Sequence, residues 1–310
     1  MYGHRKKSFA TSPKRLELTR REARTGWLMA SPWIAGFCLF LLLPVLVSIA
    51  VSFTDYNLLS SPKYVGLKNY AKLLSDRLVI KSLWITLKYA LISVPLTLLV
   101  GFFLAVLLNR PIRAQGVFRT LYYLPSILNG VAVGLLWRQV FNPDFGILNY
   151  VINLFFPVGK IEWLNNESLV IPSLVLVSLW GVGRTMVVNL AGLQNIPTSL
   201  YESAEIDGCP AWKRLLYITI PMMTPVIFLN LITGLIGAFR TFTTAYVMTG
   251  GGPNKASLFY MLYLYQNAFQ NYRMGYASAL SWLFFVLVVA LTYSIFRSAN
   301  KWVYSEGGDM

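Results

Sequence analysis

One compact group of carboxylates stands out in this sequence. Glu202, Glu205 and Asp207 lie in a polar stretch between two apolar runs. Carboxylates this close together can serve acid–base chemistry or bind a metal ion. However, the only histidine is His4, in the polar N-terminus, which argues against histidine-based catalysis and zinc sites. We therefore interpret the acidic group as a solvated face or a docking surface.

A glycine-rich segment, GGGPNKAS at Gly250–Ser257, contains the residue types of a phosphate-binding loop. A P-loop requires Gly-Lys followed directly by Ser or Thr, at a turn between a strand and a helix. Here Lys255 follows Asn254 and precedes an alanine. We predict a tight turn outside the membrane. We expect no ATP or metal cofactor in this chain.

Polar side chains within the apolar runs are the better functional signal, because a polar group in hydrocarbon is costly unless it faces a cavity or a partner. We predict that some of these side chains line a pathway for a hydroxyl-rich solute, since sugars are bound by hydrogen bonds and aromatic stacking. The candidates are Asn129, Asn230, Arg240, Thr241, Thr244, Tyr246, Ser278 and Ser281. The alternative for asparagine and threonine is helix–helix hydrogen bonding. Arg240, which we place near mid-span, needs an anion, water or a backbone partner.

The elements that must position these residues are membrane spans. The chain has 310 residues, of which 56% are hydrophobic and only 13% charged. A bilayer core needs about 20 apolar residues per helix. We predict an all-α integral membrane protein with a basic arm at 1–25, a transmembrane domain at 26–298 and a tail at 299–310. Its six spans are Gly26–Phe53, Leu83–Leu108, Phe118–Phe141, Leu169–Leu190, Pro221–Met248 (bent at Pro225) and Tyr276–Phe296.

The distribution of basic residues predicts the orientation. The net charge of +15 comes from residues that flank the spans, which argues against a nucleic-acid platform. The segments that we place inside carry fifteen basic residues and the outside loops eight, so both termini are expected in the cytoplasm. The outside connectors are 54–82, 142–168 and 255–275, and we expect one short helix in the first of them.

The polar stretch at 195–221 has its own local signals. Ser199 stands three residues before Glu202, the spacing of a capping box, which predicts a helix that begins near Leu200. Asp207 and Gly208 are expected to end it, and Pro210 to open a second short helix before the fifth span.

This stretch resembles the EAA motif of ABC-importer permeases. The matching positions are Glu202, Ala204, Gly208, Ile218 and Pro221, with Ser203 and Ile220 as departures. In that family the motif forms the coupling helices that seat in a cleft of the cytoplasmic ATPase. The resemblance implies that these five residues, with Asp207, couple the chain to an ATPase. We call 195–221 the coupling loop.

A wider resemblance covers nearly all of residues 27–298. The segment 234–253, GLIGAFRTFTTAYVMTGGGP, and the motifs FTDYNLL and VGLKNY look like the first permease of carbohydrate ABC importers. The family implies a second homologous permease, two ATPase subunits that bind ATP and Mg²⁺, and an extracytoplasmic solute-binding protein, in a bacterial inner membrane. It also places part of a sugar site on the fifth span, near Arg240, Thr241 and Thr244.

Two other classes remain open at this stage. A stand-alone secondary transporter or channel would be expected to carry acidic or histidine relay residues within its spans, and we place none there. A membrane enzyme acting on lipid-linked sugars would need catalytic carboxylates or a metal site near an interface.

Overall fold

The computed structural model describes residues 13–111 and 113–304. Residues 1–12 of the predicted arm and 305–310 of the predicted tail lie outside this range. The helices are α1 Pro13–Phe37, α2 Leu43–Ser52, α3 Lys68–Ser75, α4 Arg77–Leu108, α5 Gln115–Tyr123, α6 Gly130–Val140, α7 Ile147–Phe155, α8 Val170–Trp180, α9 Gly183–Gln194, α10 Thr198–Ile206, α11 Ala211–Arg214, α12 Ile220–Phe239, α13 Thr243–Met248, α14 Tyr260–Tyr265 and α15 Met274–Ala299. Short π-helical segments occupy Cys38–Leu42, Leu215–Thr219 and Gln266–Gln270, and Leu124–Ile127 forms a 3₁₀ turn.

Four helical stretches are long and apolar enough to cross a membrane. They are Glu22–Ser52, Arg77–Leu108, Ala211–Met248 and Met274–Ala299. Two bent helix pairs, Gln115–Ile127 with Gly130–Val140 and Val170–Trp180 with Gly183–Gln194, bring the number to six when each pair is one span. The all-α, six-span prediction is therefore confirmed.

The third and fourth spans are not the straight helices that the apolar runs predict. The third is bent by 101° between α5 and α6, and the fourth by 48° between α8 and α9. In the third span, Leu128 and Asn129 are extended, and the Asn129 side-chain oxygen accepts a hydrogen bond from the Val131 amide to start α6. Side-chain capping of this kind favours a new helix start over a continuous helix.

The first outside connector contains the predicted short helix, and the second and third contain helices that the sequence prediction missed. The first holds a hairpin, β1 Thr54–Asp55 and β2 Lys63–Tyr64, followed by α3. The second span begins at Arg77, six residues before the predicted Leu83, because Asp76 caps α4 by accepting from the Leu78 amide. The second connector holds α7, and the third holds α14, whose Tyr260 and Leu262 are fully buried.

Helix α4 lies at the centre of the fold, against α8, α9, α12 and α14. Two small residues of α4, Gly101 and Ala105, make this packing close. A Cβ added to Gly101 would lie 2.8 Å from the Thr185 side chain on α9, and Ala105 is fully buried. Small residues allow helix backbones to approach in this way within membranes.

Candidate functional site

Helix α10 of the coupling loop begins two residues earlier than predicted. Helix α10 starts at Thr198, with Pro197 at the N-cap position and no side-chain capping bond. The predicted capping box of Ser199 and Glu202 is therefore wrong, and the predicted start near Leu200 lies two residues after the observed one. Pro197 has no N–H to satisfy, so the helix can begin directly after it, and Ser199 falls inside the first turn rather than at the cap.

The end of α10 is as predicted. Gly208 has a φ of +70°, in the left-handed region that glycine adopts at low steric cost. The Gly208 amide donates to the Glu205 carbonyl at 3.0 Å, and the Cys209 amide donates to the Ala204 carbonyl at 2.8 Å. These two bonds form a Schellman motif, which satisfies carbonyls that the helix end leaves free.

The predicted second short helix is instead the base of the fifth span. Pro210 caps α11, and the helix continues through the π-helical segment Leu215–Thr219 into α12. It also passes Pro225, where a bend was predicted, and ends at Phe239. The missing amide of Pro225 would leave the Pro221 carbonyl without a donor, and the Thr224 hydroxyl donates to this carbonyl at 2.7 Å.

Two side-chain contacts fix α10 to this long helix. The Tyr201 and Thr219 hydroxyls are 2.9 Å apart and share a hydrogen bond. Arg214 forms an ion pair with Glu205 at 3.4 Å. Both contacts join α10 to the base of the span that starts at Ala211.

The outer surface of α10 presents both charge and apolar area. Glu202, Asp207 and Gly208 are exposed, whereas Ala204, Ile218 and Pro221 are half-buried. Ile206 is 87% exposed and lies one helical turn after Glu202, so the two share a face. The sequence prediction omitted Ile206, although an isolated isoleucine on a polar helix was a usable signal.

Three of the eight predicted pathway residues lie at two helix breaks. One break, at 128–130, separates α5 from α6 and includes Asn129. The other, at 240–242, separates α12 from α13 and includes Arg240 and Thr241. A Cβ on Gly130 would lie 3.5 Å from the Thr243 side chain, and α6 packs along α13. We call these two segments the facing breaks.

The predicted mid-span position of Arg240 implied a continuous helix, but Arg240 lies outside one. It follows the last residue of α12, its backbone amide donates to carbonyls of that helix, and its side chain is exposed. In the part of the chain that the structure describes, both ion pairs involve other residues. The guanidinium is therefore available to a solute or to water.

Aromatic rings extend from the second break. Tyr246 stacks on Phe242 with ring centroids 5.4 Å apart, and Tyr265 meets both rings at 5.5 and 4.9 Å. Phe269 continues the row at 5.2 Å from Tyr265. We call these four residues the aromatic cluster. Tyr265 and Phe269 were missed because the sequence placed them in a connector. The half-buried Thr244 lies on α13 between Phe242 and Tyr246.

A polar cavity of about 210 Å³ lies behind the second break and is lined by Asn230, Thr241, Tyr89 and Ser178, among others. The Tyr89 hydroxyl interacts with the hydroxyls of Ser178 and Thr241. Asn230 donates to the Asn189 side-chain oxygen at 2.9 Å, and both residues are buried. Asn230 therefore joins α12 to α9 as well as lining the cavity.

Ser278 and Ser281 lie away from the breaks. Ser281 donates to the Ala277 carbonyl of its own helix, and the neighbouring Trp282 donates to Ser48 on α2. Residues three and four apart share a helix face, so Ser278 lies on the side of Trp282. Their predicted role in the pathway stays a prediction.

No group of three His, Cys, Asp or Glu side chains converges on a metal-binding geometry within residues 22–111 and 113–304. The acidic residues of the coupling loop point to solvent or pair with Arg214. The exposed carboxylates are suited to docking.

The chain matches a known family along two thirds of its length. The family model described as "Binding-protein-dependent transport system inner membrane component" matches residues 97–304. The chain is also 41% identical over 304 residues to the probable ABC transporter permease protein YesP of Bacillus subtilis, covering 96% of this chain and 97% of that protein.

Two further relatives extend the comparison. The trehalose/maltose transport system permease protein MalF of Thermococcus litoralis is 33% identical over 281 residues, covering 89% of this chain and 94% of MalF. In a crystal structure of a bacterial alginate ABC transporter, in complex with an alginate pentasaccharide-bound periplasmic protein, one chain superposes with a TM-score of 0.82 at 21% identity. That likeness covers 93% of this chain and 98% of the other, and it supports the fold.

Proposed function

Because the chain belongs to the family of binding-protein-dependent transport system inner membrane components, we propose that it is the permease subunit of an ATP-driven importer of carbohydrates. The chain is a multi-pass membrane protein of bacterial type. The trehalose/maltose permease among its relatives supports a sugar as the solute. The role is transport, and the hydrolysis of ATP belongs to a partner.

One observation carries this proposal. The helix from Ala211 to Phe239 is uninterrupted, and it joins the coupling loop at one end to the facing breaks at the other. Its length is roughly 40 Å at 1.5 Å per residue, about the thickness of a membrane with its headgroups. A rigid connection of this kind can convert a movement of α10 into a change at Arg240 and Thr241.

The proposed orientation places the coupling loop and both termini in the cytoplasm. Arg110, Arg113, Lys213, Arg214 and Arg297 then lie on the inside, as the positive-inside rule favours. The facing breaks and the aromatic cluster lie toward the outer side. A solute delivered from outside would meet these residues first.

The partners follow from this arrangement. Two copies of a cytoplasmic ATPase bind ATP and Mg²⁺, and one of them takes α10 into a surface cleft through Glu202 and Ile206. A second homologous permease completes the pathway, and membrane lipid surrounds both. An extracytoplasmic solute-binding protein delivers the sugar, a role supported by the periplasmic protein in the alginate complex.

The solute contacts are hydroxyl and aromatic groups with one cation. The aromatic cluster offers rings on which a sugar can stack, and Thr241 and Thr244 offer hydroxyls. Tyr246 is 43% exposed, so part of its ring is open to a solute. The exposed Arg240 can bind sugar hydroxyls or a carboxylate on an acidic sugar.

Co-purification tests the subunit assignment. The chain, tagged at its C-terminus, is isolated from gently solubilised native membranes, and its partners are identified by mass spectrometry. We expect a second permease and an ATPase, and sugar uptake into proteoliposomes only when ATP is supplied. Recovery of the chain alone, with uptake that needs no ATP, would instead establish a stand-alone secondary transporter.

A further inference from the structure

A cavity of about 470 Å³ lies beside the coupling loop. The end of α4, the end of α9, α10 and the base of the fifth span surround it. Two guanidinium groups, those of Arg110 and Arg214, line it together with apolar side chains. The apolar residues include Val106, Leu193 and Leu215. The transport mechanism proposed above does not use this cavity.

The charge around the cavity is strongly positive. Arg113, Arg119 and Lys213 are near Arg110 and Arg214 in the sequence. Glu205 forms an ion pair with Arg214, and Glu202 and Asp207 are near it in the sequence, but none of these three carboxylates lines the cavity. The Glu205–Arg214 distance of 3.4 Å, with Glu205 largely exposed, leaves the guanidinium able to bind a second anion. The cavity thus favours an anionic ligand.

The surroundings match the edge of a membrane. On α4, Leu99, Phe103 and Leu107 are exposed at four-residue spacing, and this apolar stripe leads to Asn109 and Arg110. Trp212, at the mouth of the cavity, is 59% exposed, with the Lys213 ammonium 5.6 Å from its ring centroid. Exposed aromatic and basic residues at the end of a span are typical of the headgroup layer.

We propose that this cavity binds the headgroup of an acidic phospholipid of the cytoplasmic leaflet. Arg110 and Arg214 bind the phosphate, and an acyl chain lies along the exposed stripe of α4. Basic pockets between spans on the cytoplasmic side recognise anionic headgroups in this manner. Arg214 also pairs with Glu205 of α10, so the bound headgroup lies beside the ion pair that joins the coupling loop to the long helix.

Photolabelling in nanodiscs tests the proposal with the full chain. The nanodiscs contain phosphatidylethanolamine with a minor fraction of phosphatidylglycerol that carries a photoreactive acyl chain, and the adducts are mapped by peptide mass spectrometry. We expect adducts concentrated on 99–110 and 211–219. They should be competed by unlabelled phosphatidylglycerol but not by phosphatidylcholine. Uniform labelling of all exposed helix faces, or equal labelling by a zwitterionic probe, would overturn the proposal.

Variants separate a specific site from general membrane contact. Arg110→Gln should lower labelling of these segments about fivefold, because one basic residue at an anionic surface contributes that much to binding. Arg297→Gln, which neutralises an exposed cation at the end of α15, should leave it unchanged. Equal labelling in both variants would contradict the assignment of Arg110.

Two controls address the source of the anion and the fold of the loop. Inorganic phosphate in excess should not compete with the lipid probe; competition as strong as that of phosphatidylglycerol would identify a free-anion site and overturn the lipid assignment. Glu205→Gln removes the ion pair but keeps both arginines, so labelling should be equal to wild type or higher. Reduced labelling in this variant would show that adducts report the loop conformation rather than the cations.

Discussion

The coupling loop and the facing breaks lie at opposite ends of one continuous helix, and they are built in different ways. In the coupling loop, Gly208 and the Schellman bonds connect residues no more than five positions apart. At the facing breaks, Gly130 meets Thr243, and close behind them Asn230 meets Asn189. Hydrogen bonds between residues close in the sequence stabilise the first region, whereas packing between distant helices stabilises the second. Substitutions should therefore damage the two regions differently.

The largest effect is expected where two bent spans meet. A Cβ on Gly183 would lie 2.1 Å from the Tyr122 carbonyl oxygen and 2.6 Å from the Tyr123 Cα. Since backbone cannot move aside cheaply, Gly183→Ala should separate α9 from α5 and cost about 1–3 kcal/mol or more. Thermal melting of the purified protein in detergent measures this loss.

The matched control for this variant is Gly116→Ala. Gly116 is also helical and has no atom within 4 Å of an added Cβ. Its melting temperature should stay the same or rise slightly, because alanine is the better helix former. A Gly183→Ala protein that melts like this control would show that the bent spans are not held by close backbone contact.

In the coupling loop, Gly208→Val should affect coupling more than folding. The left-handed conformation costs a non-glycine residue about 1–2 kcal/mol, but an added Cβ meets nothing within 4 Å. We expect a modest fall in melting temperature, in line with this cost, and a strong loss of ATP-driven uptake, because α10 no longer ends in the shape that docks. Uptake and ATPase activity are measured in proteoliposomes.

Gly208→Asn provides the comparison, since asparagine tolerates the left-handed region better than other residues. It should retain most of the uptake. Normal transport by Gly208→Val, or equal loss in both variants, would refute the assignment of this turn to coupling.

A smaller effect is expected at the hydrogen bond between α12 and α9. Asn230→Leu leaves the Asn189 amide buried without its partner, which should destabilise the protein by about 1 kcal/mol. The double variant Asn189→Leu/Asn230→Leu should recover part of this loss. Melting of the four proteins of this cycle gives the pair's coupling energy.

Thr233→Val is the control on the same helix, because the Thr233 hydroxyl bonds only carbonyls of its own helix, those of Leu229 and Asn230. It should change melting little. If Asn230→Leu behaves like Thr233→Val, the cross-helix bond contributes nothing measurable.

Asp76 combines a local cap with long-range contacts, so it tests both kinds of stabilisation at one residue. Its carboxylate accepts from the Leu78 amide at 2.9 Å, and from the Tyr263 and Tyr276 hydroxyls at 2.5 and 2.6 Å. Partial burial opposes ionisation, but the two tyrosine hydroxyls and the Leu78 amide outweigh it and lower the pKa of Asp76 below its usual 3.8.

A lowered pKa stabilises the folded state above the unfolded pKa, and this contribution is lost as the pH falls through the folded value. We expect wild-type melting temperatures to fall as the pH drops below about 4, and Asp76→Asn to lack this part of the decline. Asp76→Asn keeps an oxygen for the Leu78 amide, so the cap survives. Parallel pH profiles of the two proteins would show that the tyrosine contacts do not favour the carboxylate.

The sequence by itself determined the membrane class, the order of the spans and the end of α10. These features depend on apolar run length and on residues adjacent in the chain, such as Asp207 and Gly208. It also identified Arg240, Thr241 and Thr244 as a group, because they are neighbours along the chain. The roles of the coupling and pathway residues remain predictions that the variants above address.

Only the tertiary structure decided where the spans bend, that α14 is buried rather than a surface connector, and which distant residues meet. Tyr265 joins Tyr246 across nineteen positions, and Asn230 joins Asn189 across forty-one. The hydropathy of a segment indicates how favourably it transfers into hydrocarbon. It does not indicate which other helix the segment packs against. A bend or a buried connector is stabilised by contacts from other helices, and these exist only after the spans have assembled.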